Sequence, residues 1–407
     1  MPGPTVRPPR GEAPRGGDDR RDVNAAAVLQ TVRDHGPVAR SRIAALSGLS
    51  PAAVTRQVVD LTRIGLLRER PELAAAGSVG RPQLPVDVDT GTLAVAGVHI
   101  GVPHSTLSLL DLRGRVLARE EMGNRGLTGR AVLDRVTDRL PGFLATARES
   151  RRVIGLGAIM GGSVDPVRGV TVRHQPLGWH EIPLRAALEQ AGGLPVHVDN
   201  HARALAQSEI LFGRPAARRS VVQVFVGHVV DAALGTGGLV HRGPQSATGD
   251  VAHLPVTGSR ALCVCGRRGC FMTAASDGAL YAEAAAAGVI AAPERALMLA
   301  AVQAGDPAAD RLVRRRARLI GQAVALLVDV VNPDLVVVTE TFAMLDRRYL
   351  DAIRAEVVRR SHLCQDPELI VTQQLGADVL AVAAGAVVLG GLYRSPLGLL
   401  DGPGSET

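Results

Sequence analysis

Lysine is absent from the 407 residues, and all 46 basic residues are arginines. Every cationic side chain is therefore a planar, permanently charged fork. Aromatic residues are nearly missing too, at 2% of the chain against 46% hydrophobic residues overall. Any core must be built from Ala, Val and Leu. No stretch of about 18 apolar residues occurs, which excludes a membrane-spanning helix. The nearest, 379–393, is rich in Ala and Gly and reads as a buried helix. The first 20 residues are mostly Pro, Gly, Arg and Asp, and 1–22 is expected to be a disordered tail, not a secretory leader. Cysteine is scarce, at four residues, which excludes a disulfide framework. A reducing, cytoplasmic setting is expected.

The charge that is present is unevenly placed. Residues 20–70 hold nine arginines against four acids, so this segment carries +5 of the chain's net +7. A concentrated positive segment suits a polyanionic partner. The same segment has the spacing of three helices. Ala27, Val28, Thr31 and Val32 form a stripe ended by Gly36 and Pro37. Arg40–Ser47 is a short second helix with Ile43 and Leu46 inward, followed by a Gly48 turn. Ser50 caps a third helix that has Pro51 at its first position and Val54, Val58, Leu61 and Ile64 on its apolar face. Gly65 stops it, and a strand begins at Leu66. This is the order of a winged helix-turn-helix over 23–88. Ser50, Ala52, Thr55, Arg56 and Gln57 are the expected DNA-reading residues of the third helix, because Arg pairs bidentately with guanine in the major groove. A three-helix bundle that binds protein is the alternative. Arg81, in Gly80–Pro82, is expected either to enter a minor groove or to sit in a linker turn.

From Leu93 the pattern changes to strands at 93–100, 105–111 and 116–121, then a helix from 129 to 149. A buried strand, 153–160, leads into Gly161 and Gly162. A second set follows: a strand at 196–198, a helix at 200–212, a hairpin at 220–226 and 231–234, a long helix at 308–330 and a strand at 335–338. Hairpins followed by helices, twice over, predict an α/β domain of two lobes with a cleft, of the actin and sugar-kinase kind, over 89–400. Arg314–Arg316 on the long helix is expected to be a solvated face.

The sharpest chemical signal is His253 followed by Cys263, Cys265 and Cys270. Three thiolates and one imidazole complete a tetrahedral set, the form in which structural zinc is held. Gly266 and Gly269 permit the turns that bring three sulfurs to one ion. Reduced core cysteines are the alternative, but a segment this rich in Gly and Arg is a poor core.

With these motifs in view, the chain from about residue 23 resembles the ROK family (repressors, open reading frames, kinases), in its members with an N-terminal winged helix-turn-helix. Gly249–His253 matches the family's Glu-x-Gly-His, with Asp250 for Glu and Ala252 for Gly. Asp199–Arg203 matches the kinases' Glu-Asn-Asp-Ala-Asn, but the position of the catalytic base is His201. The first phosphate motif, Asp-x-Gly-Gly-Thr, falls on His99–Pro103. The second, Gly-Thr-Gly-x-Gly, falls on Gly227–Asp231. The late Gly-Gly falls on Thr339 and Glu340. Pro103 lacks an N–H, Asp231 repels phosphate, and the metal-holding carboxylate is gone. The resemblance thus implies a regulator that has lost kinase chemistry.

The resemblance further implies an effector site at Gly161, Asn200, His201, Asp250 and His253. Met272 replaces a sugar-contacting Glu, which argues against a glucose-type ligand. Asn200 and His201 read alternatively as satisfied polar groups at a helix start. Taken together, the expectation is a transcriptional regulator, a repressor, that binds operator DNA and carries structural Zn²⁺. It is expected to sense a sugar or sugar phosphate and to assemble as a homodimer or homotetramer. The alternatives are an ATP-dependent sugar kinase and a regulator controlled by a protein partner.

Overall fold

The computed structural model describes residues 17–73 and 84–399, and Arg81 lies outside the described residues. The chain divides into two compact units, Met1–Leu93 with Gly390–Thr407, and Ala94–Leu389. The last turn of the C-terminal helix (Val379–Arg394) thus belongs with the first unit, not with the large domain where it was expected. Contacts inside the first unit account for this. Gln30 Nε2 donates to the Tyr393 carbonyl at 2.9 Å, and the Leu397 N–H donates to Asp22 at 2.9 Å. The Arg33 guanidinium lies 4.9 Å from the Tyr393 ring centre. These partners are 360 or more positions apart, so no local pattern announces them.

Helix α1 (Gly17–His35) starts inside the segment expected to be tail. Arg21 pairs with Asp60 at 3.0 Å, and its neighbour Asp22 accepts the bond just described. Ala25, Ala26, Val28, Leu29 and Val32 form its buried stripe. In α2 (Arg40–Ser47) Ile43 is buried, whereas Leu46 remains 39% exposed. Gly48 ends α2 in the left-handed region, at φ 71°, a conformation that costs glycine no steric penalty. Helix α3 (Pro51–Arg63) begins with the Ser50 hydroxyl accepting the Ala53 N–H at 3.2 Å. A two-stranded antiparallel wing follows, Leu67–Glu69 against Val86–Val88, with Val38 bridging to Val86.

The large unit contains two five-stranded sheets of the same plan. In the first the order is Val196–Asn200, Arg152–Met160, Leu93–Ile100, His104–Leu110, Val116–Gly123. In the second it is Ile370–Thr372, Leu335–Glu340, Ser220–Val226, Val230–Thr236, Leu239–Val240. Each has a fully hydrogen-bonded central strand with an antiparallel hairpin on one side. Helices pack on both sheets, and the cores consist almost wholly of Val, Ala, Leu and Ile. Strands carrying these side chains on both faces are continuous apolar runs, as in Leu93–Ile100, where every residue is buried. A three-stranded sheet, Ser163–Asp165, Val170–His174 and Trp179–Ile182, was not foreseen. The strands ending at Met160, Asn200, Val226 and Glu340 deliver their next residues to one cleft, the usual place for ligands in open α/β sheets. Among the described residues no helix is long and apolar enough to cross a membrane.

Candidate functional site

The outward face of α3 is set by what its inward face needs. Val54, Val58 and Leu61 are fully buried, which leaves Ala52, Thr55 and Arg56 exposed. Ser50 is exposed as the cap. Thr55 uses its hydroxyl on the Pro51 carbonyl, 2.9 Å away. The Arg56 guanidinium has no partner among the described residues. Gln57 departs from expectation. It is completely buried, with neither amide atom hydrogen-bonded, because it lies three residues after Val54 and four before Leu61 on the apolar stripe. It cannot reach a base from there.

In the large unit, the ligand atoms of His253, Cys263, Cys265 and Cys270 all lie within 4.8 Å of one another. His253 Nδ1 is 3.5 Å from Cys263 Sγ, and Cys265 Sγ is 3.5 Å from Cys270 Sγ. Tetrahedral metal–sulfur bonds of about 2.3 Å place sulfurs roughly 3.7 Å apart, so this spacing fits one ion. Gly266 and Gly269 take φ of +81° and +74° to close the loop. The Arg267 backbone and side chain hold the Cys265 thiol down at about 6, which favours its thiolate form. The cluster can hold a metal with no coordination position left for a substrate.

The expected effector residues divide between two cavities that share Val229. Asn200, Asp250 and His253 line a cavity of about 100 Å³ together with Met272 and the exposed Arg173. Gly161 and His201 line a larger one of about 600 Å³. Asn200 is heavily engaged already. Its Oδ1 accepts the Ala202 N–H at 2.7 Å as a helix cap, and its Nδ2 donates to the Gly162 carbonyl at 2.8 Å.

His201 is buried and pairs through Nε2 with Asp231 Oδ2 at 2.9 Å. The Gly162 N–H adds a bond of 3.2 Å to the same oxygen. Burial alone would raise the Asp231 pKa, but the His201 bond and charge bring it below the ordinary aspartate value. The position of the catalytic base and the carboxylate of the second phosphate loop are therefore locked together.

The same holds on the other side of the cleft. Arg316, expected in a solvated face, is buried, with Asp277 Oδ1 at 2.7 Å and Glu340 Oε1 at 2.9 Å. Its Nε donates to the Ala275 carbonyl at 2.7 Å. Burial, the largest single influence, raises Asp277, but the Arg316 charge and hydrogen bond together with His228 outweigh it and hold the carboxyl low. Glu340 stays raised, chiefly by its burial. Among the described residues, only the His/Cys cluster offers three or more ligands to a metal. These ion pairs join residues 24 to 39 positions apart, and no spacing rule finds them.

A two-lobed kinase-like body whose cleft carboxylates are tied to its own cations is the class this geometry defines. A family model described as "ROK family" matches residues 95–389. A transcriptional regulator of Mycobacterium tuberculosis is 36% identical over 94% of this chain and 89% of its own length. The DNA-binding transcriptional repressor Mlc of Escherichia coli is 30% identical over 64% of each chain. Among solved structures, a ROK family transcriptional regulator homologous to Mlc superposes with a TM-score of 0.77 at 22% identity, over 94% of this chain and all of the other. A ROK family glucokinase from Streptomyces griseus gives 0.62 at 26% identity, over 72% of this chain and 98% of its own. The chain belongs to the ROK family, as one of its transcriptional regulators.

Proposed function

We propose that the N-terminal unit binds operator DNA through α3 and represses transcription. The supporting observation is the exposed face of Ala52, Thr55 and Arg56, whose free guanidinium suits a guanine edge beside small residues that permit close approach. Ser50 sets the start of that helix, and Arg81 is proposed as an additional contact from the wing region. Footprinting across the chromosome tests this reading. Protected sites that share a sequence are expected, and uniform, salt-sensitive coverage would refute it.

In the large unit we propose a structural Zn²⁺ on His253, Cys263, Cys265 and Cys270. Bound there, the ion supplies a cross-link and no open coordination position. A sugar-type effector is proposed for the small cavity at Asp250 and His253, with Asn200 as its floor, while Gly161 and His201 face the larger cavity. No phosphoryl transfer is proposed. Asp231 of the second phosphate loop is tied to His201, and Arg316 occupies Asp277 and Glu340, the other carboxylates buried at the cleft. Assayed with a panel of sugars, the protein should consume no ATP above background, and His201→Asp alone should not change that. Assembly as a homodimer or homotetramer in the cytoplasm is also proposed, since a two-fold oligomer would place two copies of α3 on the half-sites of a symmetric operator.

A further inference from the structure

We propose that the larger cleft cavity is a second ligand site, for a non-phosphorylated amphipathic acid: an apolar body with one carboxylate. The site is distinct from the proposed sugar pocket and does not depend on DNA binding.

Size comes first. About 600 Å³ is the volume of a pocket for a small organic molecule, several times the neighbouring cavity. Val102, Leu299, Met344, Val379 and Leu380 supply apolar wall beside its polar and charged residues. Two buried rings, His99 and His201, contribute Nδ1 atoms with no hydrogen-bond partner. Buried polar atoms of this kind cost free energy until a water or ligand meets them. His99 is kept neutral, first by burial and then by the His201 charge, so it offers a hydrogen bond without a charge.

Charge then selects the ligand. Asp231, Asp277 and Glu340 stand buried at this cavity or beside it, and the partners that answer them, Arg316 and His201, are spent on them. A polyphosphate would bring several more negative charges against three carboxylates. Arg119 cannot answer them, since Glu121 and Asp378 already hold it. Arg295 remains. It is exposed, lines the cavity and has no partner among the described residues. One free guanidinium matches one carboxylate.

The two halves of the recognition lie on one helix. Arg295, Leu299 and Gln303 all line the cavity and follow one another at four-residue intervals on Arg295–Gln303. That spacing puts a cation, an apolar wall and an amide along a single helix face. A ligand lying along it would meet charge at one end and hydrocarbon after it.

Isothermal titration of the full chain with decanoate, 1-decanol and MgATP tests the proposal. Decanoate should bind saturably, once per chain, and MgATP more weakly or not at all. Arg295→Ala should weaken decanoate about tenfold, the loss of one charge-assisted bond, and leave 1-decanol unchanged. Leu299→Trp, which fills the cavity, should abolish both. If that variant does not fold, Val102→Trp, on the loop opposite, serves the same purpose. No saturable decanoate binding, binding indifferent to these substitutions, or tighter binding of MgATP would each overturn the assignment.

Discussion

Arg56 and Arg316 both sit on amphipathic helices, one in each unit, and they are held in opposite ways. Arg56 stands on the exposed face of α3 without a partner, while Arg316 has 3% of its side chain exposed and lies between Asp277 and Glu340. The small unit turns most of its charge toward solvent, and Gln57 and Asp87 are its buried polar residues among those described. The large unit pulls charge inward, at Arg316, at His201 with Asp231, and at Arg203, which pairs with Asp199 at 2.5 Å. An exposed, unpaired cation is free to act on a partner. A buried, paired one is part of the fold, and removing it strands its counter-charges.

Substitutions in the large unit should therefore cost stability, and those on α3 should cost binding alone. Metal removal is expected to have the largest effect. Cys265→Ser or a strong chelator should release one zinc per chain and destabilise the large unit by about 5 kcal/mol or more, read by metal analysis together with thermal melting. Full zinc occupancy and an unchanged melt in Cys265→Ser would remove the ion from the proposal. Next comes Arg316→Met, which keeps the volume but leaves two buried carboxylates. A loss of about 3–5 kcal/mol in denaturant melts is expected. A loss below 1 kcal/mol would show that the buried network does not hold the fold.

The third effect depends on pH. Burial first, and the neighbouring His201 second, push His174 down to about 4 in the folded protein, against about 6.5 when unfolded. Above pH 6.5 neither state is protonated and the full stability is present. Between 6.5 and 4 the unfolded chain takes up a proton that the folded chain refuses, so stability falls as pH falls. The total is roughly 3 kcal/mol at 1.36 kcal/mol per unit. His174→Asn keeps an acceptor for the Leu177 N–H, which His174 Nδ1 receives at 3.3 Å, and should flatten the pH profile. His99 is shifted in the same direction, so some slope will remain. Equal slopes in the two proteins would contradict the assignment. Smallest in energy, and different in kind, is Arg56→Ala. Operator affinity should fall by about 1–3 kcal/mol in gel-shift titrations while the melting curve stays in place. A shifted melt would break the contrast between the units.

Legibility followed distance along the chain. The Ser50 cap with Pro51 and the Gly48 turn involve residues a few positions apart, and each was readable. Strands Leu93–Ile100 and Ser220–Val226 were readable from end to end as apolar runs. The His/Cys spacing already carried the geometry of a closed site. Gln57 and Arg316 were misread for one reason: a polar side chain suggests exposure, yet each occupies a helical position that faces the core. The start of α1 was missed because its first turns are polar and gain their partners, Asp60 and Leu397, from elsewhere in the unit.

By itself, the amino-acid sequence determined the helix and strand pattern, the His/Cys cluster and the loss of both glycine-rich phosphate loops, since each depends on side-chain chemistry at short range. It also determined that any cationic contact is made by arginine. Only the tertiary structure decided that the expected effector residues fall into two cavities, and that the cleft carboxylates are matched to His201 and Arg316. It likewise decided that Arg295 stands exposed at the larger cavity without a partner among the described residues. Charge pairing in a low-dielectric interior depends on which distant segments the packed core brings within about 3 Å of each other, and nothing local in the chain encodes that.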